Sequence, residues 1–90
     1  MYSLDRPWYI FWPTPVGLKR RRLSLDSLDV EAMIRAPGTR RIEGPAGRLD
    51  VVGRTNSGRY LWLEVQPVVD DGILVITDLV ELSEEEWREL

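Results

Sequence analysis

The 90-residue sequence contains no cysteine and no histidine. Without cysteine there can be no disulfide and no thiolate metal site, and without histidine the commonest general base and the commonest metal ligand are both missing. Any catalysis must therefore use arginine, lysine, tyrosine or carboxylate side chains. Glycine-rich phosphate loops, zinc-ligand spacings and dinucleotide fingerprints are absent too, so we expect neither a metal ion nor a cofactor.

Long apolar runs are also missing. No run approaches the length of about 18 residues that a membrane-spanning helix needs. The N-terminal stretch lacks the basic-then-apolar order of a signal peptide, and Asp5 lies within it. We therefore expect a cytoplasmic protein that does not contact a membrane.

The charges are divided unevenly along the chain, whose net charge is -3. Residues 1–59 hold eleven basic and six acidic side chains, a balance of +5, and residues 60–90 hold one basic and nine acidic side chains, a balance of -8. Eleven of the twelve basic residues are arginine. Arginine makes bidentate contacts to phosphate that lysine cannot make, so the excess could indicate phosphate binding. The alternative is that the gene comes from a genome rich in G and C, in which arginine codons are used in place of lysine codons.

Residues 48–82 carry the strongest structural pattern. Three runs rich in Val, Ile, Leu and aromatic residues are separated by turn signals at residues 55–58 and 70–72, which predicts a three-stranded antiparallel meander. The third run is apolar on both sequence parities, which indicates a central strand with both faces partly covered. We predict one α+β domain over residues 1–90. Its small antiparallel sheet is this meander plus one or two short edge strands, with a short helix before it and a C-terminal capping helix.

Residues 27–35 are predicted to form the first helix, with Ser27 as its N-cap. Its apolar face is expected to lie on the sheet, and the residues of that face are Leu25, Leu28, Ala32 and Met33. The C-terminal helix is predicted to begin after Ser83, because Glu86 completes a capping box. Trp87 and Leu90 are expected to pack back onto the sheet. Residues 39–43 form a possible short strand.

Residues 1–16 form an aromatic and proline-rich segment ahead of the predicted α+β core at residues 17–90. Pro7, Pro13 and Pro15 argue against a regular helix in this segment, and residues 8–12 could form a short edge strand. Its aromatic side chains, from Tyr2 to Trp12, could stack on nucleobases. We favour the alternative that they pack in the core or against a partner protein.

Four consecutive cations follow at residues 19–22. They repel one another and favour an anion nearby. The candidates are a phosphate backbone, an acidic partner and the acidic C-terminal end of the chain itself. A solvated helix face is an equally good interpretation.

Four short motifs follow one another in a familiar order. They are Val52-Gly53-Arg54-Thr55, Ser57-Gly58-Arg59-Tyr60-Leu61, Val75-Ile76-Thr77 and Leu82-Ser83-Glu84-Glu85-Glu86. Together with the basic lead-in, they make residues 18–90 similar to the BrnT-like toxins of the RelE superfamily and to a related group of short bacterial domains. The resemblance implies a compact α+β fold with a small antiparallel sheet. It also implies metal-independent RNA cleavage that is inhibited by a cognate antitoxin encoded beside the toxin.

In such toxins an arginine stabilises the extra negative charge of the transition state, while Lys, Tyr, Glu or His moves protons. The catalytic residues that the resemblance implies are Arg54, Arg59, Tyr60 and Lys19. The RNA-binding residues are Arg20, Arg21, Arg22, Arg40 and Arg41. The sequence departs from the family in lacking its histidine, in having Asp78-Leu79 where an arginine is expected, and in its acidic final helix.

Two other functions stay open. Judged without the resemblance, Arg54 and Arg59 are ordinary cross-strand charges that could pair with Asp50 or Glu64. The chain could then be a non-catalytic interaction module on the same fold, which forms a homo-oligomer or binds a partner protein. The arginine clusters could also belong to an accessory protein that binds nucleic acid, although the net charge argues against it.

Overall fold

Five strands form one mixed sheet with three helices in the computed structural model, which describes residues 8–90. The elements are β1 (Tyr9–Phe11), α1 (Thr14–Arg22), α2 (Ser27–Arg35), β2 (Arg40–Glu43), β3 (Leu49–Arg54), β4 (Tyr60–Val68), β5 (Ile73–Leu82) and α3 (Glu84–Arg88). The strand order is β1-β5-β4-β3-β2. The pair β1–β5 is parallel and the other neighbouring pairs are antiparallel. The predicted α+β class is confirmed, but the sheet is larger than the meander and mixed.

The predicted meander is confirmed as β3, β4 and β5. The third strand of the meander, β5, lies inside the sheet between β1 and β4, so its predicted central position is confirmed. A β-bulge in β5 also contributes to its two-sided apolar pattern: Asp78 pairs with Glu64 and Ile76 pairs with Val65, so Thr77 has no opposite residue. The extra residue reverses the alternation of faces, and β5 therefore carries apolar residues on both sequence parities.

The N-terminal segment supplies both a strand and a helix. The edge strand predicted at residues 8–12 is confirmed as β1, and Trp8, Ile10 and Val16 lie in the core. The expectation that prolines exclude a helix here is wrong from Thr14 onward, because Pro15 stands in the first turn of α1. Proline is tolerated there, since the N–H that it lacks would have no partner within the helix. Residues 1–7, with Tyr2 and Pro7 of the predicted aromatic segment, lie outside the described residues.

Helix α2 has the predicted bounds but a different cap and a different buried face. The side chain of Asp26, not Ser27, caps it by accepting a 3.1 Å hydrogen bond from the backbone N–H of Leu28. Leu28 is 72% exposed, so the predicted face is wrong at Leu28 and at the exposed Ala32. The buried residues of the helix are Val30, Met33 and Ile34. They recur at the three- and four-residue spacing of one helix face.

Helices α1 and α2 cover one face of the sheet, and the core lies between the two layers. The strands contribute alternate residues to this core: Leu49 and Val51 from β3, Leu61, Leu63 and Val65 from β4, and Leu74, Ile76 and Leu79 from β5. The alternating residues of the same strands point to the opposite face, which α1 and α2 leave uncovered. That opposite face, called the open face below, positions the candidate site.

Helix α3 folds onto the end of the open face. The predicted capping box is confirmed, since Ser83 Oγ accepts from the N–H of Glu86 at 3.1 Å and Glu86 Oε1 accepts from the N–H of Ser83 at 2.9 Å. Trp87 stacks on Tyr60, whereas Leu90 is exposed, so its expected packing is wrong. Within residues 8–90, no helix is long and apolar enough to cross a membrane.

Candidate functional site

The centre of the open face is an apolar row that crosses three strands. Val52 on β3, Trp62 on β4 and Val80 on β5 stand directly opposite one another. Val52 is buried by its neighbours, Trp62 is half-buried and Val80 is 43% exposed. The open face therefore has a hydrophobic centre that neither α1 nor α2 covers, exposed at Val80 and in part at Trp62.

An acidic row runs beside the apolar row. Asp50, Glu64 and Asp78 are opposite one another on the same three strands, two residues along each strand from the apolar row. Like charges directly opposite each other destabilise a sheet. Asp50 is only 8% exposed, so its charge is the hardest of the three to hydrate. The row needs cations close to it.

Arg48 supplies one of these cations. Its Nη1 donates to Glu64 Oε1 at 2.8 Å, and its Nε lies 3.2 Å from Asp50 Oδ1. The contact between Nε and Oδ1 is an ion pair whose geometry does not make a hydrogen bond. Arg48 Nε and Asp50 Oδ1 are both buried, and neither has a hydrogen-bond partner among the described residues. One guanidinium thus lies across two neighbouring carboxylates of the acidic row.

Lys19 of α1 supplies the second cation. Its Nζ donates to Asp78 Oδ1 at 3.2 Å, and the backbone N–H of Leu79 donates to the same oxygen at 2.8 Å. The N–H of Leu79 first, and then Lys19, lower the pKa of Asp78. Among the residues that the structure describes, no group of three or more carboxylates is arranged to hold a metal ion.

A cavity of about 340 Å³ opens over these two rows. Its walls are the acidic row, Trp62 and Val80 of the apolar row, Arg48 and Leu82. Its volume is at the lower end of the range of about 300–1,000 Å³ that is usual for ligand sites. The cavity joins an aromatic surface to a line of carboxylates.

The third row lies at the other side of the apolar row and contains Arg54, Tyr60 and Leu82. The guanidinium carbon of the exposed Arg54 lies 5.7 Å from the centroid of the Tyr60 ring. The Tyr60 ring also stacks on Trp87, with 4.8 Å between centroids and 23° between planes. Two of the four predicted catalytic residues, Arg54 and Tyr60, are thus brought together.

Arg59 is used differently. Its Nε and Nη2 donate to the two carboxylate oxygens of Glu81 at 2.8 and 2.6 Å. Its Nη2 and Nη1 also donate to the carbonyls of Leu23 and Ser24, at 2.6 and 3.1 Å. The paired guanidinium lowers the pKa of Glu81, and the carboxylate raises that of Arg59. Glu81 is opposite Leu61, on the face that the helices cover, so Arg59 faces away from Tyr60.

Lys19 is also separated from the Arg54–Tyr60 pair. Lys19 is bound to Asp78, and Glu64, the residue opposite Asp78, lies four residues along β4 from Tyr60. Four residues of strand span about 13 Å. The structure therefore divides the predicted catalytic set among three places.

Two of the predicted RNA-binding arginines hold backbone carbonyls. Arg20 donates to the carbonyl of Leu25 at 2.8 Å and lies 5.3 Å from the Trp12 ring, and Arg41 donates to the carbonyl of Ile34 at 3.2 Å. These carbonyls follow or end helices, where backbone acceptors lack partners.

The other three predicted RNA-binding residues are exposed and form no ion pair or side-chain hydrogen bond within residues 8–90. They are Arg21, Arg22 and Arg40. Helix α1, with the first two, packs against β5, while Arg40 lies on β2 at the far edge of the sheet. The predicted RNA-binding residues therefore do not form one continuous patch.

The Val-Gly-Arg-Thr motif is largely explained by packing. A Cβ on Gly53 would lie 2.9 Å from Thr39 Oγ1 and 3.0 Å from Met33 Cγ, so glycine lets β3 approach the helical layer. The buried Thr55 accepts from the N–H of Arg59 at 3.1 Å and closes the β3–β4 turn. Arg54, in contrast, is exposed, and its charged group faces solvent.

Sequence reasoning missed Arg48, Trp62 and the acidic row as a site. Arg48 is the partner of Asp50 and Glu64, the two carboxylates that the sequence suggests as partners for Arg54 or Arg59. The sequence does indicate this part of the site in β3 and β4, because alternate residues of a strand share one face. Those residues are 48, 50, 52 and 54 in the first strand and 60, 62 and 64 in the second. This pattern could not be extended to Asp78, since the bulge at Thr77 alters the register.

Comparisons with protein-family models, with curated proteins and with solved structures find no match to this chain.

Proposed function

We propose that this chain is a non-catalytic protein-interaction module that binds its partner through the open face. The observation that carries the proposal is the uncovered apolar row beside the 340 Å³ cavity, on a sheet whose other face is packed against α1 and α2. Centres of protein interfaces are enriched in aromatic side chains and surrounded by polar ones. Trp62 between the acidic row and Arg54 has this arrangement.

The internal pairing of two predicted catalytic residues also favours binding over catalysis. Lys19 is neutralised by Asp78, and Arg59 is neutralised by Glu81. A group that moves a proton or stabilises charge must reach the reacting atoms, and these two are held elsewhere. An interaction module needs no such group. The missing histidine, the Asp78-Leu79 pair and the acidic final helix are therefore compatible with this function.

Site-specific cross-linking tests this proposal. A photoreactive benzoylphenylalanine replaces Val80 on the open face, and in a matched control it replaces Leu28, which is exposed on α2. The variants are expressed in the cytoplasm, where we propose that the protein acts, and adducts are identified by mass spectrometry. We expect one protein adduct at position 80 that is lost in a Trp62→Ala background, and none at position 28. Equal cross-linking at both positions, or none at position 80, would contradict the proposal.

A metal-independent ribonuclease similar to the BrnT-like toxins, with a cognate antitoxin as its partner, is the second candidate. The observation in its favour is the exposed Arg54 beside Tyr60. Arg54 could stabilise the extra negative charge on a phosphate in the transition state, and the Tyr60 hydroxyl could transfer a proton. Arg40 on β2 is directly opposite Val52, which lies two residues before Arg54 on the same face of β3. Arg40 could therefore contact the phosphate next to the one that Arg54 binds.

RNA cleavage in EDTA tests this second candidate. The parent protein is compared with Arg54→Ala and with Arg88→Ala, which removes an exposed arginine outside the predicted catalytic and RNA-binding sets. The ribonuclease proposal expects cleavage by the parent and by Arg88→Ala, with a loss of about a hundredfold or more in Arg54→Ala. Absence of cleavage by the folded parent, or equal cleavage by all three proteins, would exclude this role for Arg54.

A further inference from the structure

We propose that the segment bound by the open face presents an arginine side chain, which lies on Trp62 and bridges Glu64 and Asp78. This inference rests on the proposed function and names the chemistry of the partner: a protein segment with an arginine next to an apolar residue. The acidic row, the free acceptor atoms in it and the adjacent aromatic surface carry the argument.

The charges of the acidic row are not balanced within the described residues. Three carboxylates, of Asp50, Glu64 and Asp78, face two cations, Arg48 and Lys19. Carboxylates directly opposite on neighbouring strands repel each other, so the row weakens the free protein. A cation brought by a partner would remove this repulsion, and charge complementarity therefore favours a basic partner.

Two carboxylate oxygens on directly opposite residues have no hydrogen bond within the described part of the chain. Arg48 occupies Oε1 of Glu64, while Lys19 and the Leu79 N–H occupy Oδ1 of Asp78. Within residues 8–90, Glu64 Oε2 and Asp78 Oδ2 accept no hydrogen bond. Directly opposite residues have Cβ atoms about 5 Å apart, which one guanidinium with its five N–H donors can span.

Arg48 shows that the row accepts a guanidinium in this way. It contacts Asp50 and Glu64 through two different nitrogens, at 3.2 and 2.8 Å. The pair Glu64–Asp78 repeats that arrangement one strand further along, and no arginine of residues 8–90 lies across it. The partner's arginine would extend the same pattern.

Trp62 and its neighbours suit the rest of an arginine-bearing segment. A guanidinium is attracted to the face of an indole, and its aliphatic stem can cover apolar surface. Trp62 lines the cavity beside Glu64, and Val80 and Leu82 form its apolar side. The cavity therefore provides a place for the stem and for an apolar residue next to the arginine.

Arginine fits this site better than lysine. The planar guanidinium bonds two carboxylates at once and stacks on an aromatic ring, whereas an ammonium group is a compact and strongly hydrated point charge. Citrulline has nearly the same shape as arginine but carries no charge. It therefore separates charge recognition from shape recognition.

Titration of the purified full chain followed by NMR tests the inference. The probes are acetyl-Val-Arg-Val-amide and the same peptide with citrulline in place of arginine. We expect the arginine peptide to shift the Trp62 indole N–H and the Glu64 and Val80 amides. We expect the citrulline peptide to bind at least tenfold more weakly. Equal binding of the two peptides, or shifts confined to the helical layer, would overturn the inference.

Two variants identify the carboxylates. Glu64→Gln removes one bridging acceptor, and Glu85→Gln is the control because Glu85 is exposed on α3 and does not line the cavity. We expect arginine-peptide binding to fall at least fivefold in Glu64→Gln, whose fold is checked by its amide spectrum, and to stay unchanged in Glu85→Gln. Loss of binding in both variants, or in neither, would contradict recognition by the acidic row.

The outcomes distinguish this inference from the proposed function. If a partner cross-links at position 80 but neither peptide binds, the arginine inference fails and the interaction module stands. If the adduct has twice the mass of the chain, the occupant is a second copy, and the inference of a separate arginine-bearing partner is overturned. Failure of both the cross-link and the peptides would remove both proposals.

Discussion

Arg59, directly before β4, and Glu81 on β5 are joined by two parallel hydrogen bonds between guanidinium and carboxylate. The same guanidinium binds the carbonyls of Leu23 and Ser24, between α1 and α2. A side chain that the sequence associates with catalysis therefore connects two layers of the fold. Bidentate arginine–carboxylate pairs are the strongest of the common charge-assisted hydrogen bonds.

Replacing Arg59 should destabilise the protein. Arg59→Ala removes four hydrogen bonds, but the side chains of Arg59 and Glu81 are 29% and 31% exposed, so water replaces part of the loss. We expect the free energy of unfolding to fall by about 1–2 kcal/mol. Urea unfolding measures the change. Arg22→Ala should have little effect, because Arg22 is exposed and forms no ion pair with any residue from 8 to 90. Equal stability of the two variants would show that the ion pair contributes nothing.

The ion pair should also make stability depend on pH. The pKa of Glu81 is lower in the folded protein than its ordinary value of 4.5. Its stabilisation is therefore present above pH 4.5 and is lost as the pH falls through the folded-state pKa. In Glu81→Gln we expect lower stability at pH 7 and a shallower loss below pH 4.5. The urea midpoint between pH 3 and 7 checks this, with Glu85→Gln as the control, and parallel curves for parent and Glu81→Gln would refute it.

Gly53 should resist substitution because of the space around it. Gly53→Ala places a methyl group 2.9 Å from Thr39 Oγ1 and 3.0 Å from Met33 Cγ, in the layer between β3 and α2. We expect a loss of about 1–3 kcal/mol from this overpacking. Gly17→Ala is the matched control, because nothing lies within 4 Å of that position in α1, and it should stabilise the protein by about 0.5–1 kcal/mol. Thermal unfolding compares the two, and the same sign of change in both would be inconsistent with the packing.

Trp87 should hold α3 on the sheet. The helix has five residues, too few to be stable alone, and Trp87 anchors it to the sheet surface by stacking on Tyr60. We expect Trp87→Ala to remove amide protection in α3 while leaving β4 protected, at a local cost of about 1 kcal/mol. Hydrogen exchange measures both regions. Leu90→Ala, which truncates an exposed side chain, should preserve protection, and loss in both variants would point to general fraying.

The elements of the fold could be predicted from local patterns. The meander, the bounds of α2 and the capping box each depend on residues close together in sequence, so propensity and turn chemistry identify them. The prediction of the buried face of α2 is wrong because Leu28 and Ala32 are apolar, as Val30 and Ile34 are. Only the position of the sheet decides which pair is buried.

The candidate site could be predicted much less well. An arginine in a sequence indicates a cation, but Arg20, Arg41 and Arg59 bind backbone carbonyls that no residue type marks. The acidic row depends on register, which the sequence does not specify across a bulge. The resemblance indicated Arg54 and Tyr60, which are neighbours across β3 and β4 and are therefore close in any version of this hairpin.

Thr77 has no opposite residue on β4, although its hydroxyl donates to the carbonyl of Glu64 at 3.0 Å. Deleting Thr77 would leave Ile76 facing the helices, Asp78 facing the open side and Leu79 facing the helices, because those three residues would then alternate without interruption. Both surfaces of the sheet would keep their chemistry in a chain one residue shorter. We therefore expect a chain without Thr77 to keep the same two faces. Such a protein would show that this surface is defined by which residues lie opposite one another, and not by the number of residues in β5.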